Sequence, residues 1–375
     1  MANEWQGVIH STAPRYMKGA EDLTVRERIV LSFLKSKGRI KFNENSHTCV
    51  WDVEFSEPPI EPYADGGVLN FQRHDPMRQL MIDWRGYVGT DQMTRKERLM
   101  NSGNEAIYRR YDKIIPNLMR SITNKFGSEW TIDGYASGNE NRLCGIESFM
   151  GKLAAVTSNS KVALPSDTYG MRSTALQNQG GYWSANLASG KRPYQEGAMA
   201  TDWPDGQGSS EYDYLAPKLL NEDHDWGGGA VGWNGGTGNA EYIIRKGVIW
   251  LSMLGGKSGM PDLFLTNGQW YAEYLDQQSA KQRIIVPHKD SSDLGFGQTV
   301  NQEGVGIYRD FDVPAGVGYF LNFDKMKLCS LSDQLFFRSG PEWSIETQSW
   351  LFNIGFFGNM QFQPKYFGKV ADMTV

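Results

Sequence analysis

Residues 39–90 set the first constraint on any fold for this chain. Cys49, Trp51, Val53 and Phe55 alternate with Val50, Asp52 and Glu54, the two-residue period of a strand with one apolar face. Leu80, Ile82 and Trp84 alternate in the same way with Met81, Asp83 and Arg85. Between the two runs lie Glu57-Pro58-Pro59-Ile60-Glu61-Pro62 and Asp65-Gly66-Gly67, dense in chain-reversing residues. The segment reads as a long β-hairpin whose arms extend on the order of 50 Å at about 3.3 Å per residue. A two-stranded hairpin is marginal alone in water. Its apolar face therefore needs a partner surface, and neighbouring copies are expected to supply it through Trp51, Val53 and Phe55.

The rest of the chain alternates helical and extended patterns. Residues 1–38 read as a polar arm followed by a short amphipathic helix: Thr24 and Glu27 have capping-box spacing, Val25, Ile29 and Phe33 recur every four residues, and Gly38 sits where a helix stops. Such an arm has no core of its own and must lie against something else. Residues 102–126 give the clearest helix, opened by Ser102 and Glu105, striped by Ile107, Tyr111, Ile114, Leu118, Ile122 and Phe126, and ended by Gly127. It would be roughly 37 Å long, with Pro116 expected to kink it, and it looks like a spine lying across a sheet. Residues 128–240 are less legible; about 165–235 reads as a loop-rich insertion ordered mainly by its aromatics. Beyond it the patterns predict a helix over about 240–254, a strand over 262–265 and a helix opened by Asn267 through Trp270, Tyr271, Tyr274 and Leu275. Strands near 306–308 and 317–321 flank Pro314 and Gly316, and the last 35 residues return to strand periodicity at Met360, Phe362 and Tyr366. The expected fold class is α+β.

Composition excludes several classes. With 375 residues the chain is long enough for about two domains or one elaborate one. A 22% charged fraction argues against wholesale disorder. No apolar run approaches the roughly 18 residues of a membrane span, and the Met1 start lacks a signal-peptide pattern, so a soluble, non-secreted chain without membrane contact is expected. The net charge of −5 offers no overall basic surface for sequence-independent grip on nucleic acid. Cys49, Cys144 and Cys329 are far apart and odd in number, neither a disulfide framework nor a zinc spacing, and read as buried thiols in a reducing cytosol.

Catalytic patterns fail on inspection. Gly256-Lys257-Ser258 resembles the end of a phosphate loop, but the position that needs glycine is Leu251, inside the preceding helix, so helix termination is the better reading. Gly227, Gly229 and Gly232 have dinucleotide spacing without a strand before them. Glu222, Asp223, His224 and Asp225 are adjacent in one stretch and read as a solvated acidic loop rather than a cation site. No catalytic residue, metal ligand or cofactor is assigned.

Charge along the hairpin is asymmetric. Its outer half carries Asp52, Glu54, Glu57, Glu61 and Asp65, with no Lys or Arg between Asp52 and Asn70, while its base and the spine carry Arg85, Arg95, Lys96, Arg98, Arg109 and Arg110. One reading is two solvated faces. The other is an acidic tip (Glu54, Glu57, Glu61, Asp65) docking on the basic base of the next copy, a head-to-tail contact that closes into rings and weakens with salt.

This order of elements resembles the major capsid proteins of tailed bacteriophages, the Johnson (Hong Kong 97-type) fold; the motifs that carry it most specifically are Pro261-Asp262-Leu263-Phe264-Leu265-Thr266-Asn267, Asp310-Phe311-Asp312-Val313-Pro314-Ala315-Gly316 and Tyr319-Phe320-Leu321-Asn322. The resemblance implies an N-terminal arm (1–38), an extended hairpin loop (39–90), a peripheral domain (91–135 with 341–375) holding the spine helix 102–126, and an axial domain (136–340) carrying the insertion at about 165–235. It further implies hexamers and pentamers of an icosahedral head around double-stranded DNA bound without sequence specificity, with a portal at one vertex and a decoration protein left open. The location would be the virion, and the host cytoplasm during assembly. Some relatives cross-link a hairpin lysine to an asparagine; here the tip from Glu57 to Gly67 has no lysine, so a non-covalent shell is expected. Other relatives carry an N-terminal scaffolding segment of roughly a hundred residues; with the short arm seen here, a separate scaffolding protein is expected. The competing reading is a carbohydrate-binding or glycoside-hydrolysing protein using its 12 Trp and 17 Tyr as stacking platforms. It requires a closed β architecture, which the long helix does not suggest.

Overall fold

The computed structural model describes residues 28–42, 44, 46–54, 58, 60–62, 65–66, 71, 73, 77–100, 104–150, 168–173, 182–183, 217–221, 233, 239–279 and 300–371. The capping-box residues Thr24, Glu27 and Ser102, the hairpin residues Phe55 and Glu57, and the clusters at 222–225 and 227–232 lie outside them, as do the side chains of Arg98, Arg109 and Arg110.

In chain order the elements begin with α1 (Ile29–Ser36), β1 (Ile40–Lys41), the hairpin strands β2 (Cys49–Glu54) and β3 (Met77–Ile82), and β4 (Arg85–Thr94). Helices α2 (Arg95–Met100) and α3 (Asn104–Glu129) follow, then short strands β5 (Thr168–Tyr169), β6 (Arg172–Ser173), β7 (Tyr182–Trp183) and β8 (Lys218–Asn221). Helix α4 (Asn239–Gly255), β9 (Leu263–Thr266), α5 (Gly268–Ser279), β10 (Val300–Gln302), β11 (Val305–Arg309) and β12 (Val317–Leu321) come next. The chain closes with β13 (Met326–Ser330), β14 (Phe337–Ser344), β15 (Ser349–Phe362) and β16 (Gly368–Ala371).

Two larger sheets organise these elements. One runs β1-β13-β15-β14, with β4 also paired to β15; the other runs β10-β11-β9-β12-β16-β8-β7. The strand expected near the chain end is real but longer than its periodicity announced: β15 pairs antiparallel with β4 over ten consecutive positions, from Ser349 opposite Thr94 to Gly358 opposite Arg85. Tyr366 is not part of it; it sits in a single 3-10 turn before β16. The division expected at residue 340 does not follow the sheets, because β13 and β14 pair with β15 while β16 crosses into the other sheet between β12 and β8. The insertion at about 165–235 is likewise more than loop, since β7 and β8 are strands of that second sheet.

The centre of the second sheet is buried on both faces, which is why β9 and β12 read as continuous apolar runs rather than alternating ones. Leu263, Leu265, Tyr319 and Leu321 face the main core, while Phe264, Phe320, Val305 and Ile307 face a second core closed by Ile244, Val248 and Trp250 of α4 and Trp270 and Tyr274 of α5. Asn267 opens α5 as expected: its Oδ1 accepts the Trp270 backbone N–H at 2.9 Å.

Helix α3 lies across the five-stranded sheet. Ile114, Leu118, Ile122 and Phe126 are buried as the stripe predicts, joined by Ile115 and Met119. Phe126 meets Phe356 of β15 edge-on at 4.9 Å, and Gly89 of β4 leaves room for Ile122. Pro116 lies within the helix. Gly127 does not end it; the helix runs on to Glu129. A Cβ at Gly127 would stand within 2.9 Å of the Arg28 side chain, so this glycine serves close approach rather than termination. Arg28 crosses there to bond Asp312 and Asn124.

The arm helix α1 finds its surface within its own chain. Phe33 and Leu34 are fully buried, and Phe33 stacks on Phe323 at 5.0 Å. Gly38 does stop the helix, in the left-handed region at φ +64°, and Lys37 and Arg39 pair with Asp262 at 2.6 Å and Asp324 at 2.8 Å. Fully burying each apolar side chain is worth about 1.5–3 kcal/mol, so apolar packing outweighs these half-exposed ion pairs in holding α1.

Candidate assembly surfaces

Alternation along 49–54 and 80–82 falls on a paired hairpin, but Trp84 lies outside its strands and residues 85–90 belong to β4 of the five-stranded sheet. β2 and β3 pair antiparallel from Cys49 opposite Ile82 to Glu54 opposite Met77. Cys49, Val53, Leu80 and Ile82 are buried and Trp51 is half-buried, whereas Val50, Asp52 and Glu54 point outward. Part of the surface against that apolar face comes from the same chain. Tyr169 lies 6.0 Å from the Trp51 ring, Gly170 sits against Leu80, and the Met81 N–H donates to the Gly170 carbonyl at 3.4 Å. The corner between β5 and β6 thus lies against Trp51 and Leu80 of this face, and Val53 packs with the same two residues. Tyr169 is itself anchored: its hydroxyl donates to the Met360 carbonyl at 3.1 Å and accepts the Phe362 N–H at 2.8 Å.

Exposed apolar groups lie elsewhere. In the segment joining β2 to β3, Ile60 is 92% exposed and Phe71 90% exposed. Of the acidic residues expected there, Glu54, Glu61 and Asp65 are exposed. On the basic side Arg95 and Lys96 are exposed, while Arg85 is half-buried and so offers less to a neighbour than its charge suggested. A second apolar surface was not anticipated. Val88, Leu351 and Phe357 stand exposed on the outer face of the five-stranded sheet, with Phe337 stacked on Phe357 at 4.9 Å. Beside them is a groove of about 430 Å³ lined by Thr90, Asp91, Ser339, Glu342, Leu351 and Asn353. The signal available in sequence was the doubled periodicity of β15, apolar at even positions (Trp350, Phe352, Ile354, Phe356) and also at Leu351 and Phe357.

A buried carboxylate fixes the hairpin's continuation to the spine. Glu129 at the end of α3 is 0% exposed at its side chain and receives Arg142 at 2.7 Å, Lys125 at 3.0 Å and the hydroxyl of Tyr87 on β4 at 2.7 Å. That hydroxyl in turn accepts the Leu143 N–H at 2.7 Å. Burial alone would raise the Glu129 carboxyl, but the hydrogen bonds from Arg142, Tyr87 and Lys125 outweigh it and hold it below the ordinary carboxylate value. A depressed folded-state value means the contribution is complete above the unfolded value, roughly pH 4.3, and is lost as pH falls through the folded one. Glu129→Gln is therefore expected to cost about 1–3 kcal/mol at pH 7 and to flatten the decline of stability below pH 4.5. Urea titrations at both pH values check this; parallel acid losses in the two proteins would remove Glu129 as a source.

Among the described residues no group of three or more His, Cys, Asp or Glu is placed to hold a metal ion, and no helix is long and apolar enough to cross a membrane. Trp130, Trp233, Trp250 and Trp270 are buried, Trp233 stacking on Trp270 at 4.3 Å, so these rings fill cores instead of forming platforms for sugars.

No family model matches the sequence, and no curated relative matches it. Solved structures do match. The capsid asymmetric unit of cyanophage A-1(L) superposes with a TM-score of 0.54 at 12% identity, covering 90% of this chain and 91% of that one. The capsid of the native GTA particle gives 0.51 at 11% identity over 90% and 89%, and that of the empty GTA particle 0.50 at 10% identity over the same shares. Matched over nine-tenths of its length, the chain has the phage capsid fold, the Johnson (Hong Kong 97-type) architecture.

Proposed function

We propose that this chain is a major capsid protein that assembles with itself into hexamers and pentamers of an icosahedral phage head enclosing double-stranded DNA. The observation that carries this reading is a fold shared over nine-tenths of the chain with proteins solved as capsids. Its role is structural, without catalysis or cofactor. Residues 1–38 act as the arm and 39–90 as the extended loop. The five-stranded sheet with α3 forms the peripheral part, and the second sheet with α4 and α5 the axial part. Neighbouring copies meet at the loop segment bearing Ile60 and Phe71, at the acidic residues Glu54, Glu57, Glu61 and Asp65, at Arg95, Lys96, Arg98, Arg109 and Arg110, and at the outer sheet face of Val88, Leu351 and Phe357. A separate scaffolding protein directs closure, and a portal occupies one vertex. The mature virion is the site of action, reached from the host cytoplasm. Hydrophobic burial at about 25 cal/mol per Å² stabilises the shell, while charge sets register.

Size exclusion and negative-stain microscopy of the expressed protein, alone and with candidate scaffolds, test this. Closed or sheet-like particles of capsomers are expected, dissociating to single chains in boiling detergent. A protein that stays monomeric under all these conditions and binds glycans would replace the shell by the carbohydrate reading.

A further inference from the structure

Four segments far apart in sequence meet at one corner of the molecule, beside the end of α1. Lys37 reaches Asp262 at 2.6 Å and Arg39 reaches Asp324 at 2.8 Å. The Leu328 N–H donates to the Arg39 carbonyl at 3.0 Å, and the Gln363 N–H to the Lys325 carbonyl at 3.1 Å. Asn322 Nδ2 donates to the Ser258 carbonyl at 2.9 Å, and the Lys325 ammonium lies 4.7 Å from the centre of the Tyr366 ring. Residues 35–41, 256–262, 322–327 and 361–366 are thereby joined. Together they carry eight Lys or Arg against two Asp, in a chain whose net charge is −5. Both Asp are engaged by Lys37 and Arg39, and Glu44, whose N–H bonds the Ser330 carbonyl at 3.3 Å, stands at the border. Among the described residues Lys41, Lys257 and Lys327 have no carboxylate within ion-pair distance. The strands set their direction. Met326 and Leu328 of β13 are 0% exposed in the main core and Ile40 packs against it, so Lys327 and Lys41 lie on the opposite face. Lys41 and Lys257 are exposed, and Lys325 and Lys327 half-buried.

We propose that this corner binds the phosphate backbone of double-stranded DNA without reading its sequence. The proposal deepens the shell reading, on which the presence of DNA rests. A duplex carries one negative charge per about 1.7 Å of its axis, and each ammonium that neutralises a phosphate releases a condensed counterion. Lysine suits this task, because a point charge on a flexible stem follows a backbone without demanding one geometry. The excess of acid in the chain lies elsewhere, so the attraction is local and the rest of the surface limits it. The acidic hairpin segment of another copy is a poorer occupant. Its Glu61 and Asp65 stand beside Ile60 and Phe71, which are almost wholly exposed and need apolar cover that a surface of ammonium groups does not give. In a symmetric shell every copy would present the same contact.

The test titrates the full-length chain into a fluorescent DNA duplex of about 30 base pairs at about 50 to 200 mM NaCl. Two duplexes of unrelated sequence should bind within about twofold of each other, and log affinity should fall against log salt with a slope of about −3, the value for three or four phosphates. Lys41→Gln, Lys257→Gln and Lys327→Gln together should weaken binding at least about tenfold at the lowest salt and make the slope shallower by about 2.7. Each change alone should remove about 0.9 from the slope, so the single variants carry the test where the triple one does not fold. Arg120→Gln with Arg309→Gln, exposed and outside the corner, should bind as the parent does. No binding at the lowest salt, a salt-independent affinity, or equal losses in the control would overturn the proposal. So would poly-glutamate displacing the corner's ligand as well as unlabelled duplex does, charge for charge, which would mark a site for acidic protein. Particle formation is read separately by size exclusion: a chain that binds duplex without assembling keeps this corner and loses the shell, and one that assembles without binding does the reverse.

Discussion

Replacing Ile60 and Phe71 together by aspartate is expected to abolish particle formation while leaving the isolated chain folded. Both side chains stand almost wholly in water, 92% and 90% exposed, in the segment between β2 and β3. Neither is needed for the fold described above, so their removal should leave the thermal unfolding of the monomer within about 0.5 kcal/mol of the parent. In an assembled shell each would be covered by a neighbour, worth about 1.5–3 kcal/mol per side chain. Losing both removes about 3–6 kcal/mol from every hairpin contact, a factor of at least a hundred in each association constant, and the new carboxylates add a desolvation cost. Because every copy contributes the same contact in a closed symmetric assembly, the deficit recurs around each ring. Sedimentation velocity and particle counts by negative stain read the result directly. Parental particle yield from the double variant would show that the hairpin segment is not an assembly contact. Charge reversal at Glu61 and Asp65 should instead change the rate and salt dependence of assembly more than its final yield.

The hairpin illustrates what local pattern can and cannot carry. Alternation along 49–54 and 80–82 fixed which side chains share a face, and the pairing of Cys49 with Ile82 follows that pattern. It could not identify what lies against the face. Tyr169 and Gly170 do so in part, from about ninety residues further on, in a segment whose Gly, Ser and Asn content reads as loop. The same limit applies to α1, whose apolar stripe was plain but whose acceptor, Phe323, is almost three hundred residues away. An unpartnered apolar face in a sequence therefore signals a need for burial without specifying whether the same chain or another supplies it.

Glycine was misread for a related reason. At Gly38 the backbone is left-handed and the residue does stop a helix, but Gly127 keeps helical conformation and is small because Arg28 passes over it. Termination is a local property that sequence exposes; close approach of a distant side chain is not. Strands buried on both faces, such as β9 and β12, were found by length and flanking turn residues rather than by period. The candidate assembly residues divide the same way. Acidic and basic runs were legible, whereas the exposed Val88, Leu351 and Phe357 became visible only when β4 and β15 were paired.

Lys369→Met is expected to destabilise the chain by about 3–5 kcal/mol, the range for stranding one member of a buried ion pair. Lys369 lies in β16, inside the second sheet and 2% exposed, directly opposite Tyr319 of β12. Its ammonium meets Glu147 Oε2 at 2.7 Å, while the Tyr319 hydroxyl donates to Oε1 of the same carboxylate. Without Lys369 the carboxylate keeps a single neutral donor in a buried site. Glu147→Leu alone should cost a similar amount by leaving the ammonium unpaired, yet the double variant should recover most of the loss, since an apolar pair of similar volume removes both desolvation penalties. A double-mutant cycle by urea unfolding measures this coupling; additive losses would mean that the two groups do not act as a pair. The consequence extends beyond stability. Glu147 sits in a turn whose Ile146 N–H bonds the Trp130 carbonyl at 2.7 Å, just past the end of α3. The ion pair therefore ties the second sheet to the spine helix, and in an assembled shell it would hold the two parts of each subunit at one angle. Particles carrying Lys369→Met should accordingly disrupt at lower temperature than parental ones even where they form.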